Sequence, residues 1–151
     1  MSITGDTLPA DTPHVRLATA NDHDRVLELV AMLGHVVEVD QKVFTASYSR
    51  AIADAPRTIV HVAELAGVVV GYALTTINTL LYTNGPSAQL QEIVVDDTVQ
   101  STGVGTALVS AVEQACEDHG VTQLTVASRR AGGFYDRLGY TQQAEYMRRL
   151  F

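Results

Sequence analysis

Cysteine is almost missing from this chain: Cys116 is the only one in 151 residues. No intrachain disulfide can form, and zinc sites built from several cysteines are excluded by the same count. Basic residues are also scarce. Ten Lys and Arg stand against 17 Asp and Glu, for a net charge of −7, and no more than two basic residues are adjacent anywhere. A nucleic-acid binder needs a basic face to displace counterions from phosphates, so that class is excluded. An acidic surface suits cationic or neutral small molecules better. The five histidines (14, 23, 35, 61 and 119) are scattered without ligand spacing, so no metal site is expected. No apolar run approaches the roughly 18–20 residues of a membrane span, so no membrane partner is expected. Residues 1–13 lack a basic and then apolar leader pattern, and a cytoplasmic protein is the expectation.

Apolar residues are plentiful, at 46% against 18% charged. The chain therefore has enough surface to bury a core and is not intrinsically disordered. Its length fits one domain of the usual ~100–200 residues. Residues 1–13, with two prolines and small polar side chains, read as a flexible leader, and residues 14–151 as the domain.

Periodicity gives the element order. Residues 14–17 form a short strand with Val15 and Leu17 on one face. Asn21 and Asp22 offer N-caps for a helix over about 24–33, where Val26, Leu29, Val30 and Leu33 recur at helical spacing and Gly34 supplies the stop. A second helix spans about 41–55, with Phe44, Tyr48 and Ile52 four residues apart, and Pro56 ends it. The alternating stretches 58–64 and 68–77 flank Ala66-Gly67 and read as a hairpin. A loop with Asn84-Gly85-Pro86 follows. Residues 90–95 look like a central strand. The strongest helix pattern comes next, with Val104, Ala107, Leu108, Ala111, Val112 and Ala115 on one face and Gly120 at its end. Cys116 falls at the edge of that face and reads as inert core. A strand over 121–127, a short helix over 133–138 and a closing strand over about 144–150 complete a β α α β β β α β α β order. The mixture indicates an α/β (α+β) fold with one mixed central sheet flanked by helices.

The segment LQEIVVDDTVQSTGVGTAL, residues 90–108, carries the chemistry. A buried strand runs into a polar loop, two glycines and an amphipathic helix. Gly103 and Gly105 leave backbone N–H groups accessible at a helix N-terminus, which makes an anion site; the alternative is a plain strand-to-helix turn. The loop is not a Walker A motif, because no Lys-Ser or Lys-Thr follows. Nor is it a dinucleotide fingerprint, which has a third glycine and opens the first βαβ unit.

Gln100-Ser101-Thr102-Gly103-Val104-Gly105 resembles the Gln/Arg-x-x-Gly-x-Gly/Ala signature of the GNAT acetyltransferase superfamily. Phe134-Tyr135-Asp136-Arg137-Leu138-Gly139-Tyr140 is similar to the Phe-Tyr-x-x-x-Gly-Phe element of the same superfamily. Val15-Arg16-Leu17-Ala18-Thr19, running to Asp22, looks like its opening strand and turn. The resemblance covers about residues 14–151. It implies the GNAT fold, acetyl-CoA as co-substrate and transfer of the acetyl group to an amine. By the same resemblance the pyrophosphate rests on the backbone of Ser101, Thr102, Gly103, Val104, Gly105 and Thr106, with Gln100 beside it. The pantetheine arm runs along Ile93, Val94 and Val95. Ser128 stands where the family often has an asparagine after the penultimate strand. The loop lacks the family's usual Arg or Lys; Arg129 or Arg130 could compensate.

Two proton carriers are needed. An ammonium must lose a proton before it attacks a carbonyl, and a leaving thiolate is better protonated as it departs. Tyr135, which the resemblance places near the thioester sulfur, is protonated at neutral pH, since a phenol titrates near ~10. It is the candidate acid. Glu92 is the candidate base, because it lies on the strand leading to the Gly loop among Leu90, Ile93 and Val94. Strand alternation puts it on the face of Leu90 and Val94; a bulge would move it. A buried ring with its hydroxyl tied to the backbone, and a strand carboxylate in an ion pair, are the structural alternatives. Tyr82 in the 78–87 loop is either a lining residue of the acceptor pocket or a surface ring.

The expected acceptor is a small-molecule amine. Compact superfamily members of this kind include aminoalkylphosphonate acetyltransferases, whose substrate requires basic residues at the site; Arg16, Arg50, Arg57, Arg148 and Arg149 are available. A protein N-terminus or lysine is another acceptor, and a non-catalytic acyl-CoA-binding module is the rival of another class. A homodimer is expected through the closing strand with Tyr146, Met147, Leu150 and Phe151, since exposed strand edges are usually covered.

Overall fold

The computed structural model describes residues 12–33, 38–100, 102–128 and 133–151. The elements are β1 (His14–Leu17), α1 (His23–Val30), α2 (Gln41–Ala53), β2 (Thr58–Leu65), β3 (Val68–Asn78), β4 (Ser87–Val95), α3 (Val104–Asp118), β5 (Gln123–Val126) and α4 (Phe134–Arg137). They form one five-stranded sheet in the order β1-β2-β3-β4-β5. The first three pairings are antiparallel and β4–β5 is parallel, so the sheet is mixed as the element order implies.

The sheet is buried on both faces. Along β2, Val60 and Val62 face a core that also holds Val26, Leu29, Tyr48, Tyr72 and Val94, under α1 and α2. Ala63 faces the opposite core with Ala73, Ala88, Leu90 and the α3 residues Val104, Leu108, Val109, Val112 and Cys116. The alternation of β2 thus reads as two buried faces rather than one wet and one dry. Val109 is also in the α3 core, although the helical spacing did not single it out.

Local chemistry sets the helix starts. Thr19 caps the turn before α1, and Asp22 returns the bond by accepting from Thr19 N–H at 2.8 Å. The same carboxylate takes the Arg16 guanidinium fork at 2.8 and 2.9 Å, and Arg16 also reaches Glu64 at 3.2 Å. This triad pins the entry of α1 to the β1–β2 edge. Asp40 caps α2 through the N–H groups of Lys42 and Val43. The regular part of α1 ends at Val30, and residues 31–33 tighten into a 3₁₀ turn instead of continuing the helix.

Gly71 determines how closely α3 approaches the sheet. A Cβ there would lie 2.9 Å from the Val94 carbonyl and 3.2 Å from side-chain carbons of both Val104 and Leu108. Only glycine admits the start of α3 at that depth.

The expected closing strand over 144–150 is not formed. Residues 140–151 adopt no regular structure and are exposed, except for a half-buried Tyr140 packing on the α3 core. Alternating apolar residues need a partner strand to become a strand. The neighbouring edge strand β5 is only four residues long and pairs with β4 alone. The leader up to residue 11 and the expected stop at Gly34 lie outside the described residues.

Candidate active site

The site grows from the parting of β4 and β5. The two strands pair in register from Ser87↔Gln123 to Leu90↔Val126. There β5 ends, while β4 continues to Val95 paired only with β3. Among the described residues, one backbone edge of residues 91–95 has no strand beside it. The gap is a cleft of about 490 Å³ whose lining includes Glu92, Ile93, Val94, Val95, Gln100, Ser128, Phe134 and Tyr135. Met32, Leu33 and Tyr146 complete one side. Both candidate proton carriers therefore border one cavity, although they are far apart in sequence.

A bulge decides where Glu92 points. In the β3–β4 register Leu90 faces Thr75 and Glu92 faces Leu74, so Gln91 is the extra residue. Leu90 belongs to the α3-side core, whereas Val94 belongs to the α1/α2-side core. Simple alternation had placed Glu92 with both Leu90 and Val94. The extra residue separates Glu92 from Leu90 and leaves it with Val94, on the side of α1 and α2. There it accepts a 2.6 Å hydrogen bond on Oε1 from the Tyr72 hydroxyl. Tyr72 is 1% exposed. Burial, together with the neighbouring Glu92 carboxylate, drives its phenol far above the ordinary range. Tyr72 thus stays protonated as the donor. Its role was not legible in the sequence, where it is one more aromatic of a hairpin strand.

Tyr135 stands in the first turn of α4, with its ring edge-on to Phe134 and to Tyr140 at centroid separations of 4.9 and 5.6 Å. Tyr140 is itself anchored to α3 by a 2.6 Å bond from its hydroxyl to Glu113. Burial pushes the Tyr135 phenol above its ordinary value, so it carries its proton at neutral pH. Its ring packs in the cleft wall, and among the described residues its hydroxyl has no hydrogen-bond partner, backbone or side chain.

The Gly loop presents its amides openly. Gly103 is the N-cap of α3 in a left-handed conformation (φ +88°) that side chains rarely adopt, and no side chain caps the helix. The first helical bond runs from Ala107 N–H to the Gly103 carbonyl. Among the described residues the amides of Val104, Gly105 and Thr106 find no partner, and they lie at the positive end of the helix dipole. The Val104 side chain itself is buried in the core and only its amide can serve a ligand. Gly105 brings this turn against the cleft wall: a Cβ there would lie 3.6 Å from Phe134 and 3.9 Å from Val95. The Thr102 hydroxyl is spent on the Val99 carbonyl, and Gln100 donates to Asp97 at 3.1 Å. Ser101, Arg129 and Arg130 lie outside the described residues.

The two aspartates of the loop are accounted for locally. Asp96 accepts from the N–H and hydroxyl of Thr98 and from the Arg25 guanidinium. The Thr98 backbone bond and then Arg25 hold its carboxyl down at about 2. Arg25 also donates to the Val69 carbonyl at 2.7 Å, so α1 is clamped both to β3 and to the residue that follows β4. Tyr82 is 75% exposed and borders neither this cleft nor the cavity under α1 and α2. It is a surface ring.

The described geometry fits a thioester carrier with a diphosphate end. An unpaired strand edge suits an extended amide-bearing arm, and uncapped first-turn amides suit a diphosphate. Comparisons with known proteins agree. The acetyltransferase (GNAT) domain family model matches residues 31–149. Glucosamine-6-phosphate N-acetyltransferase from Arabidopsis thaliana superposes with a TM-score of 0.81 at 18% identity, over 93% of this chain and 99% of that one. An acetyltransferase from Trypanosoma brucei gives 0.78 at 22% identity, over 93% and 100%. An aminoglycoside N-acetyltransferase solved in complex with CoA gives 0.72 at 17% identity, over 91% and 95%. A search of curated protein sequences gives no match. With the splayed β4–β5 cleft, the open Gly loop and the family match over most of its length, this chain belongs to the GNAT acetyltransferase family.

Proposed function

We propose that the protein is an N-acetyltransferase that moves the acetyl group of acetyl-CoA to the primary amine of a small molecule, working as a homodimer in the cytoplasm. The observation that carries this reading is the shared cleft: Glu92 and Tyr135 border one cavity, beside amides that no side chain caps. The amides of residues 101–106 would hold the diphosphate, and the free edge of Ile93, Val94 and Val95 the pantetheine arm, with Gln100 and Ser128 alongside. Bound acetyl-CoA supplies a thioester, whose acyl carbon accepts the amine and whose sulfur leaves as a thiolate. Glu92 takes the proton of the incoming ammonium on Oε2, because Oε1 is occupied by Tyr72. Tyr135 keeps its phenol proton for donation toward the departing sulfur.

The cofactor half of this reading is tested by thermal shift. CoA should raise the melting temperature of the wild type. Gly105→Asp should abolish the rise, because it adds bulk and negative charge among the amides. Gly105 has no left-handed φ and a Cβ there meets only ordinary contacts, so the variant should fold. Gly105→Ala is the control that should keep the shift. An unchanged shift in folded Gly105→Asp removes this loop from the CoA site.

A further inference from the structure

Under α1 and α2 lies a second cavity, of about 420 Å³, with walls formed by Val26, Val30, Phe44, Tyr48, Leu74 and Glu92 among others. That size is ordinary for a small-molecule site, which typically spans roughly 300–1,000 Å³. Glu92 borders both this cavity and the cleft. An amine that reaches Glu92 from the α1/α2 side therefore arrives where the cleft begins. The two tyrosine hydroxyls on the walls are already engaged, Tyr48 donating to the Thr19 carbonyl at 2.7 Å and Tyr72 to Glu92, and Ser47 adds a neutral hydroxyl at the exposed margin. Apart from these hydroxyls and the carboxylates, the walls present hydrocarbon and aromatic rings, with Phe44 stacked on Tyr48 at 5.6 Å.

The charges along this cavity have one sign. Glu92 lies inside, and the exposed Glu38 and Asp40 also line it. Among the described residues no Lys, Arg or His lines it. Among the described residues, the arginines that the sequence offered for an anionic substrate are elsewhere. Arg16 is bound to Asp22 and Glu64, and Arg50, Arg57, Arg148 and Arg149 border neither cavity of the site. A phosphate, phosphonate or carboxylate placed here would lose its water without gaining a cation, beside three like charges. An ammonium with an apolar arm meets the opposite situation at both ends.

We infer that the acceptor is a primary amine on an apolar arm, aromatic or aliphatic, that carries no anionic group. This rests on the acetyltransferase reading and narrows its substrate class. The test is release of free thiol from acetyl-CoA with three matched amines: 2-phenylethylamine, phenylalanine (the same arm with a carboxylate added) and 2-aminoethylphosphonate. The kcat/KM for 2-phenylethylamine should exceed both others by about tenfold or more, the size expected when a buried charge goes unpaired. Phe44→Ala should raise KM for 2-phenylethylamine and leave KM for acetyl-CoA unchanged. Glu38 is exposed, so Glu38→Lys should fold and should raise phenylalanine relative to 2-phenylethylamine. Equal or faster turnover of either anionic amine overturns the amine class while the acetyltransferase reading stands. Absence of thiol release across all amines overturns the acetyltransferase reading, and this inference with it.

Discussion

The Tyr72 hydroxyl donates to Glu92 Oε1 at 2.6 Å, across the antiparallel pair formed by β3 and β4. The bond exists because the Gln91 bulge turns Glu92 toward the α1/α2 side, where Tyr72 is buried. It holds one carboxylate oxygen and leaves the other without a partner among the described residues.

Two variants separate holding from proton transfer. Glu92→Gln should lower the rate most at low pH, where few amine molecules are already deprotonated, and raising the pH should partly restore it. Tyr72→Phe keeps the ring and removes only the bond. It should lower kcat by about tenfold, less than the 10²-fold or more typical of losing a general base. Its KM for acetyl-CoA should stay unchanged. A Tyr72→Phe enzyme with wild-type kcat at every pH would show that the bond positions nothing.

Tyr135→Phe should lower kcat by roughly 10²-fold, within the usual range for a lost general acid. The KM for acetyl-CoA should change little, because the loss is felt in the transition state. Ring packing on Phe134 and Tyr140 survives the change, so the melting temperature should hold. Near-normal turnover would make Tyr135 a packing residue.

His61 gives a pH-dependent stability. Its side chain is buried, Nδ1 has no hydrogen-bond partner, and burial lowers its pKa. The unfolded chain therefore binds this proton more readily than the folded one. The contribution of His61 is present above the ordinary histidine value of about 6.5 and is lost as pH falls toward the depressed folded value. His61→Leu should flatten the decline in melting temperature between about pH 7 and 5. An unaltered slope in that variant would assign the decline to other groups.

The C-terminal segment should assemble the protein. Tyr146, Met147, Leu150 and Phe151 are all exposed, at 64%, 86%, 61% and 111% of their reference areas. Apolar groups left on the surface at this density mark an interaction surface. Light scattering at micromolar concentration should give the mass of two chains, and deletion of residues 144–151 should give one. A full-length monomer would contradict the homodimer.

What the sequence made legible was local. The two-residue hairpin turn, the glycines at the start of α3 and the short helix carrying Phe134 and Tyr135 each depend on neighbours in the chain, and each formed where the local pattern put it. The bulge at Gln91 could be named in the sequence only as a possibility, because the register that reveals it depends on pairing with β3. The Arg25–Asp96 clamp joins residues 71 apart, so the loop read as more acidic than it is. The acceptor-side cavity is made by α1, α2 and three strands together, and no single segment announces it. The closing strand was misread because 144–150 has the composition of a strand but no partner in its own chain.

The central claim is acetyl transfer in the β4–β5 cleft, and one measurement tests it most directly. Purified protein is incubated with acetyl-CoA and 2-phenylethylamine, and free CoA and N-acetylated amine are quantified together by mass spectrometry. The account predicts equal amounts of both products, with the rate falling sharply in Tyr135→Phe and Glu92→Gln. Intact acetyl-CoA after incubation with every amine tested, in a folded protein whose melting temperature CoA still raises, would contradict it and leave a CoA-binding domain without transfer activity.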